Sequence, residues 1–397
     1  MKKWKKAVLA AAGIVLIVAV TAAATWLLTN RAWTQRLDKL PPSAKKAMEV
    51  ESYLERYFID EYDESALADG AASGIVSATG DRWSYYLSAE EAKEHQLAVE
   101  NVYAGIGVTI RENQQLGGMQ VLEVVEDGPA DRAGVQVDDI IVEAEGKSTI
   151  ELGMDGTQET IAGEIGTEVR IVVLRGAQRI AMTMLRAAIE SPVAECRMLP
   201  GSVGYILIAN FDSRCAQETN ACIDKMLMAG AKGLIFDVRF NPGGYVDELV
   251  GVLDKLLPEG ELFRCVDYAG TEERELSDAA CLPIPMAVLV NSESYSAAEF
   301  FAAALQEYEW AQIVGEKTCG KGNFQYGFDL SDGSLLNISA GKYFTPQGRS
   351  LTDVGVTPDI EQTLSEEEMA RLYYGVLEDE DDAQLQAALE AVCQKIS

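Results

Sequence analysis

The chain has one histidine, His95, among its 397 residues. That scarcity leaves little room for a Ser-His-Asp triad or a Cys-His pair. His95 lies in the stretch Glu90-Glu91-Ala92-Lys93-Glu94-His95, which reads as a solvated helical face. Basic residues are also few, 33 against 63 acidic, for a formal net charge of −30. Such a surface argues against nucleic acid and against docking on anionic lipid. The seven cysteines (Cys196, Cys215, Cys222, Cys265, Cys281, Cys319, Cys393) form no short-spaced zinc pattern. No metal or organic cofactor is implied. An odd count leaves at least one thiol unpaired; Cys265 and Cys281 are spaced to close a loop, and Cys319 lies beside Lys321. No internal repeat or long low-complexity stretch stands out.

Acids are missing altogether from the first 30 residues. Lys2, Lys3, Lys5 and Lys6 precede an uncharged run over 7–30, whose apolar part, 7–28, exceeds the roughly 20 residues a bilayer span needs. It is longer than the roughly 7–15-residue core of a cleaved signal peptide. Four lysines before the run, against Arg31 and Arg36 after it, orient the N-terminus inside. The expectation is a single-pass signal anchor in the cell membrane with the body on the extracytoplasmic side; cleavage after Ala22-Ala23-Ala24 is the alternative. Beyond residue 30 the chain carries 29 basic and 63 acidic residues, a net charge of −34. That body is long enough for two domains with proper cores.

Five segments follow from texture: the stub and anchor (1–30), a helical region (31–101), a β-rich module (102–188), an alternating β/α region (189–363), and an acidic stretch with a packing helix (364–397). In the helical region Tyr53, Leu54, Tyr57 and Phe58 recur at helical spacing, and 66–76 continues the pattern. The β-rich module opens on Tyr103-Ala104-Gly105-Ile106-Gly107-Val108. Further on, Gly128-Pro129-Ala130-Asp131-Arg132-Ala133-Gly134 is bounded as a short helix by its proline and terminal glycine. In the β/α region a strand near 233–239 runs into Phe240-Asn241-Pro242-Gly243-Gly244, a turn that offers unobstructed backbone N–H groups. The strand Met286–Val290 runs into Asn291-Ser292-Glu293-Ser294, and Ala297–Glu307 is a helix by propensity. Ser296 thus sits where a strand turns into a helix, so its hydroxyl can be exposed beside free helix N–H groups. Lys321 follows between Gly320 and Gly322, with Gln325 four residues on. For lysine to replace histidine as the base it must be neutral near pH 7, roughly three units below its reference value of about 10.4.

The runs VLVNSESYSAAEFFAAALQ, VGEKTCGKGNFQ and LSDGSLLNISAGKYFTPQGRSLTDVGVTPD resemble the catalytic half of the C-terminal processing (tail-specific) serine peptidases. The resemblance implies Ser296 as nucleophile, Lys321 as base and Gln325 as the residue orienting the lysine. It also implies an oxyanion site built from Ala297 and one of Gly243 and Gly244, a choice the sequence leaves open. Tyr295 and Cys319 depart from the family pattern, which usually has Ala and an aromatic there. The module 102–188 resembles a circularly permuted PDZ domain, with Gly105-Ile106-Gly107 as the loop that binds a peptide carboxylate. The implied fold is α/β, a ClpP/crotonase-like peptidase core with an inserted α+β PDZ domain, preceded by a transmembrane helix. The implied activity is endoproteolysis of exported proteins near C-termini captured by the PDZ domain. Protein tails and the membrane are then the partners, with self-association left open. An inactive PDZ-containing scaffold for peptides at the membrane is the alternative.

Overall fold

A computed structural model describes residues 4, 13, 16–29, 31 and 39–396. Residues 16–29 are helical, and residues 7–12, 14 and 15 of the apolar run expected to form the anchor lie outside the described residues. Among those described, no helix is long and apolar enough to cross a membrane. The chain divides into two compact units, Met1–Leu87 and Ser88–Ser397.

The first unit holds helices α1 (Pro42–Tyr57) and α2 (Glu64–Ser77) and a short strand β1 (Tyr85–Leu87). Proline at the first position starts α1, where its missing N–H costs nothing. Asp63 caps α2 by accepting from the Ser65 and Ala66 N–H groups. Helical periodicity in this region is thus realised, whereas β1 was not anticipated.

In the second unit α3 (Ala89–Val99) carries His95 and is started by a Ser88/Glu91 capping box. The β-rich module follows as β2 (Val102–Gly105), β3 (Val108–Asn113), β4 (Gly118–Val124), α4 (Pro129–Ala133), β5 (Ile140–Ala144), β6 (Lys147–Ser148), α5 (Thr149–Ile161), β7 (Glu168–Arg175), β8 (Gln178–Leu185) and β9 (Ala187–Glu190). Its sheet runs β3-β4-β5-β7-β8, with β6 beside β5. Alternate residues of β7 (Val169, Ile171 and Val173) point into its core with Met119, Val121 and Ile141. α4 ends at Gly134, which has φ 86° and closes the helix as its sequence suggested. β2 and β9 form an antiparallel ribbon at the module's two chain crossings. A reciprocal amide pair, Asn101 with Asn210, ties the base of that ribbon to the next domain.

That domain comprises β10 (Ala194–Leu199), β11 (Val203–Ile208), α6 (Cys215–Met228), β12 (Gly233–Asp237), α7 (Val246–Leu256), β13 (Gly260–Asp267), β14 (Glu272–Ser277), β15 (Met286–Val290), α8 (Ala297–Glu307), β16 (Ala311–Gly315), β17 (Asn323–Asp329), β18 (Leu335–Phe344), β19 (Ile360–Glu361), α9 (Glu366–Tyr373) and α10 (Ala383–Ile396). Its main sheet has the order β10-β11-β12-β15-β16-β19, parallel from β11 onward. Both faces are covered, which is why the central strands read as continuous apolar runs. Leu234, Phe236, Met286, Val288 and Val290 face Leu249, Leu253, Phe301 and Leu305 of α7 and α8. Ile235, Ala287 and Leu289 face Leu385, Ala388 and Val392 of α10.

Two expectations need correction. The strand near 233–239 stops at Asp237, because Asp237 Oδ1 accepts both the N–H and the Nε–H of Arg239 and folds the chain back. The acidic stretch before α10 is not simply solvated either. Asp382 is buried, pairs with the buried Arg239 guanidinium at 2.9 Å and caps α10 through the Gln384 and Leu385 N–H groups. Burial opposes the Arg239 charge, yet Asp237 and then Asp382 hold its pKa well above the usual value. Cys265 and Cys281 are both reduced, so the loop they could close is not closed.

Removing the cation would strand two buried carboxylates. Arg239→Met is therefore expected to cost about 3–5 kcal/mol in urea denaturation. Asp382→Asn, which leaves Arg239 paired with Asp237, should cost less than half as much.

Candidate active site

Parallel pairing of β12 with β15 places their carboxyl ends side by side, with Asp237 opposite Leu289. The two turns that leave those ends form the site. Ser296 is the residue before α8 and has φ 58° and ψ −123°, a strained conformation that lifts its side chain out of the turn. Ser294 is fully buried; its hydroxyl donates to the Val238 carbonyl at 2.7 Å and accepts the Asn291 N–H. Asn291 Oδ1 in turn accepts the Phe240 N–H at 2.9 Å. These bonds lock the Ser296 turn onto the Asn241-Pro242-Gly243-Gly244 turn.

Contact between the turns is close enough to demand glycine. A Cβ on Gly243 would stand 2.7 Å from Ser296 Cβ, and at φ 90° it would be strained in any case. The open choice between the two glycines gains a physical basis here. The Gly243 N–H donates to Asn241 Oδ1 at 2.8 Å, and Gly243 is buried. Gly244 is exposed, and among the described residues its N–H and that of Ala297 donate to nothing.

Lys321 reaches the same place from the loop between β16 and β17. Its Nζ lies 5.6 Å from the centroid of the Tyr295 ring, next in sequence to Ser296. Gln325, on β17, donates its side-chain amide to the Asn323 carbonyl at 3.1 Å. Glu299 escaped the sequence reading. It is fully buried, and four donors saturate its carboxylate: Oε1 accepts Thr318 Oγ1 (2.6 Å) and the Gly320 N–H (2.7 Å), while Oε2 accepts the Ser296 N–H (3.0 Å) and the Lys321 N–H (2.7 Å). Burial raises its pKa, opposed by those hydrogen bonds. The available signal was its position three residues after a helix-capping serine.

Beside Ser296 a pocket with only about 20 Å³ of free volume is walled by Val246, Leu249, Phe263, Phe300 and Tyr343. In the β-rich module a separate cavity of about 330 Å³ runs along β3 and α5, lined at one end by Gly105, Ile106 and Gly107. The Ile106 and Gly107 carbonyls accept the Ala130 and Val125 N–H groups, while their own N–H groups have no backbone partner among the described residues. No group of three or more His, Cys, Asp or Glu able to hold a metal ion occurs among the described residues.

A doubly covered parallel sheet with a serine at a strand–helix elbow, carrying a PDZ module, defines the chain as a PDZ-bearing α/β serine peptidase. Residues 202–362 match the family model described as Peptidase family S41, and residues 120–175 match a PDZ domain. The carboxy-terminal processing protease CtpA of Bacillus subtilis (strain 168) is 29% identical over 88% of this chain and 76% of that protein. A CtpA-like serine protease of Staphylococcus aureus (strain COL) is 30% identical over 88% of this chain and 70% of its own length. A crystal structure of an S41 protease from Bacteroides fragilis NCTC 9343, 20% identical, superposes with a TM-score of 0.51 over 84% of this chain and 92% of that one, which supports the fold. The chain belongs to peptidase family S41, the carboxy-terminal processing proteases, and is a serine-type hydrolase.

Asp212, beside the Gly243-Gly244 turn, is a second residue the sequence did not flag. Its neighbour Phe211 bridges to Gly244, and burial pushes the Asp212 carboxyl up to about 7. A carboxyl whose folded pKa lies above its unfolded value of 3.8 binds its proton more tightly when folded. Its stabilising contribution is complete below about pH 4 and lost as pH rises through about 7. Asp212→Asn should be more stable than wild type at pH 8.5 by about 1–2 kcal/mol, allowing for partial solvent screening. At pH 4 that advantage should vanish, as read by urea denaturation at the two pH values.

Proposed function

We propose that this peptidase works by Ser-Lys catalysis and cleaves exported proteins near C-termini selected by its PDZ domain. The observation that carries the reading is the convergence of the Ser296 turn and the Lys321 loop on one carboxylate, with the lysine amine over the ring next to the serine. Unprotonated Lys321 takes the proton from Ser296 Oγ as that oxygen attacks the scissile carbonyl. The Ala297 and Gly244 N–H groups, both without a partner among the described residues, receive the oxyanion; a donor of this kind is worth about 2.7–4 kcal/mol in other enzymes. The lysine then protonates the leaving amine. Water, deprotonated by the same lysine, releases the acyl group. Gln325 is assigned to orienting the amine, which needs its side chain to leave the Asn323 carbonyl or to act through its oxygen.

The confined pocket beside Ser296 has room for little more than one water, so it favours a small apolar side chain before the cut. The free N–H groups of Ile106 and Gly107 are the proposed receptor for a terminal carboxylate, with the peptide added along β3. The apolar run over 7–28 is assigned to a membrane anchor, with the catalytic body extracytoplasmic.

Hydrolysis of an unstructured protein by the full chain, from pH 6 to 10, tests the dyad. Ser296→Ala and Lys321→Ala should each lose at least 100-fold in rate, while wild type rises along a limb set by lysine deprotonation. Activity that survives Lys321→Ala would remove the base assignment. For the PDZ reading, a peptide with a free C-terminus should bind about 10–100-fold more tightly than its amidated form, the value of charge-assisted hydrogen bonds. Equal affinities would dismiss it.

A further inference from the structure

We propose that Glu299 is a positioning residue for peptide hydrolysis, whose carboxylate holds the nucleophile turn and the base loop in one fixed relation. The inference rests on the Ser-Lys reading and adds to it a residue that touches neither substrate nor reacting atoms.

A glutamate at the third position of a helix is ordinarily a cap that reaches back to the helix start, partly in solvent. Three features set Glu299 apart. It is fully buried, so the local cap alone would be a poor return for desolvating a charge. Only one of its four bonds, from the Ser296 N–H, is the local cap. The other three come from Thr318, Gly320 and Lys321, a segment that leaves a different strand. Thr318 Oγ1 passes the restraint on by accepting the Val356 N–H at 2.7 Å.

The geometry also divides the labour between the two oxygens. Oε2 is shared by the backbone of the nucleophile and the backbone of the base, at 3.0 and 2.7 Å. That atom, with the bond from the Cys319 N–H to the Ser294 carbonyl at 3.2 Å, holds the two segments together. Oε1 holds Thr318 and Gly320, which fixes the entry of the lysine loop. Gly320 has φ 88° and packs against Asp353 and Val354, so the loop is clamped from its other side as well. Since an error of about 1 Å in reacting geometry can cost about 100-fold in rate, a bond shared in this way has catalytic leverage without chemical participation.

Two substitutions separate this role from helix capping. Glu299→Gln keeps the size but sets an NH2 group against backbone N–H donors, so one pair of bonds must open. Glu299→Asp keeps the charge and can still cap α8, but is too short to span to the loop. Both variants, with Ser296→Ala and Lys321→Ala, would be assayed as full chains on a fluorogenic unstructured protein. Amide hydrogen exchange would be followed at Gly320 and Lys321. The proposal expects kcat to fall about 10–100-fold in both Glu299 variants, KM to stay within threefold, and exchange at the two amides to accelerate. If Glu299→Gln does not fold, Glu299→Asp carries the test. A native kcat in Glu299→Asp, or a loss seen in KM alone, would overturn it. An inactive Lys321→Ala beside native-like Glu299 variants would sink the positioning role only; an active Lys321→Ala would instead sink the Ser-Lys reading.

Discussion

The site depends on the parallel pairing of β12 with β15. Because the two strands run the same way in adjacent positions, the Asn241–Gly244 turn and the Ser296 elbow leave the sheet at one edge and meet there. Their contact is tight at Gly243; two buried side chains, Asn291 and Ser294, and a bond from the Tyr295 N–H to the Asn241 carbonyl staple the turns together. The elements around them serve that junction. α7 and α8 cover one face of the sheet, and α10 covers the other. The Arg239–Asp237–Asp382 cluster fastens α10 to the chain immediately before the first turn. Gly244 is exposed on this edge, and among the described residues its N–H donates to nothing.

Much of this was legible in the sequence where local chemistry is strong. The helix Ala297–Glu307 and the strand Met286–Val290 were placed at their observed bounds, since a purely apolar run ending in polar turn residues has few other readings. The short helix after Pro129 closes at Gly134 for the reason the sequence gives. What escaped was long-range. Glu299 was passed over because three of its four partners lie about twenty residues on. The choice between Gly243 and Gly244 was open because it turns on where the Asn241 side chain points. Asp382 read as solvated since its partner, Arg239, lies 143 residues away in sequence. Of the anchor expected over residues 7–28, residues 7–12, 14 and 15 lie outside the described residues.

The Lys321 amine, the proposed base, stands 5.6 Å from the centroid of the Tyr295 ring. The PDZ cavity, by contrast, offers neutral backbone donors, suited to a carboxylate on an otherwise acidic protein. The proposed selection of a tail and the proposed cleavage thus lie on separate surfaces linked by the β2/β9 ribbon.

The central claim is that Ser296 is activated by Lys321. Labelling of the full chain with a fluorophosphonate probe, with the modified residue mapped by mass spectrometry, tests it most directly. The account predicts a single adduct at Ser296, formed faster as pH rises and abolished by Lys321→Ala. An adduct at another serine, or labelling of Ser296 at an unchanged rate in Lys321→Ala, would contradict it.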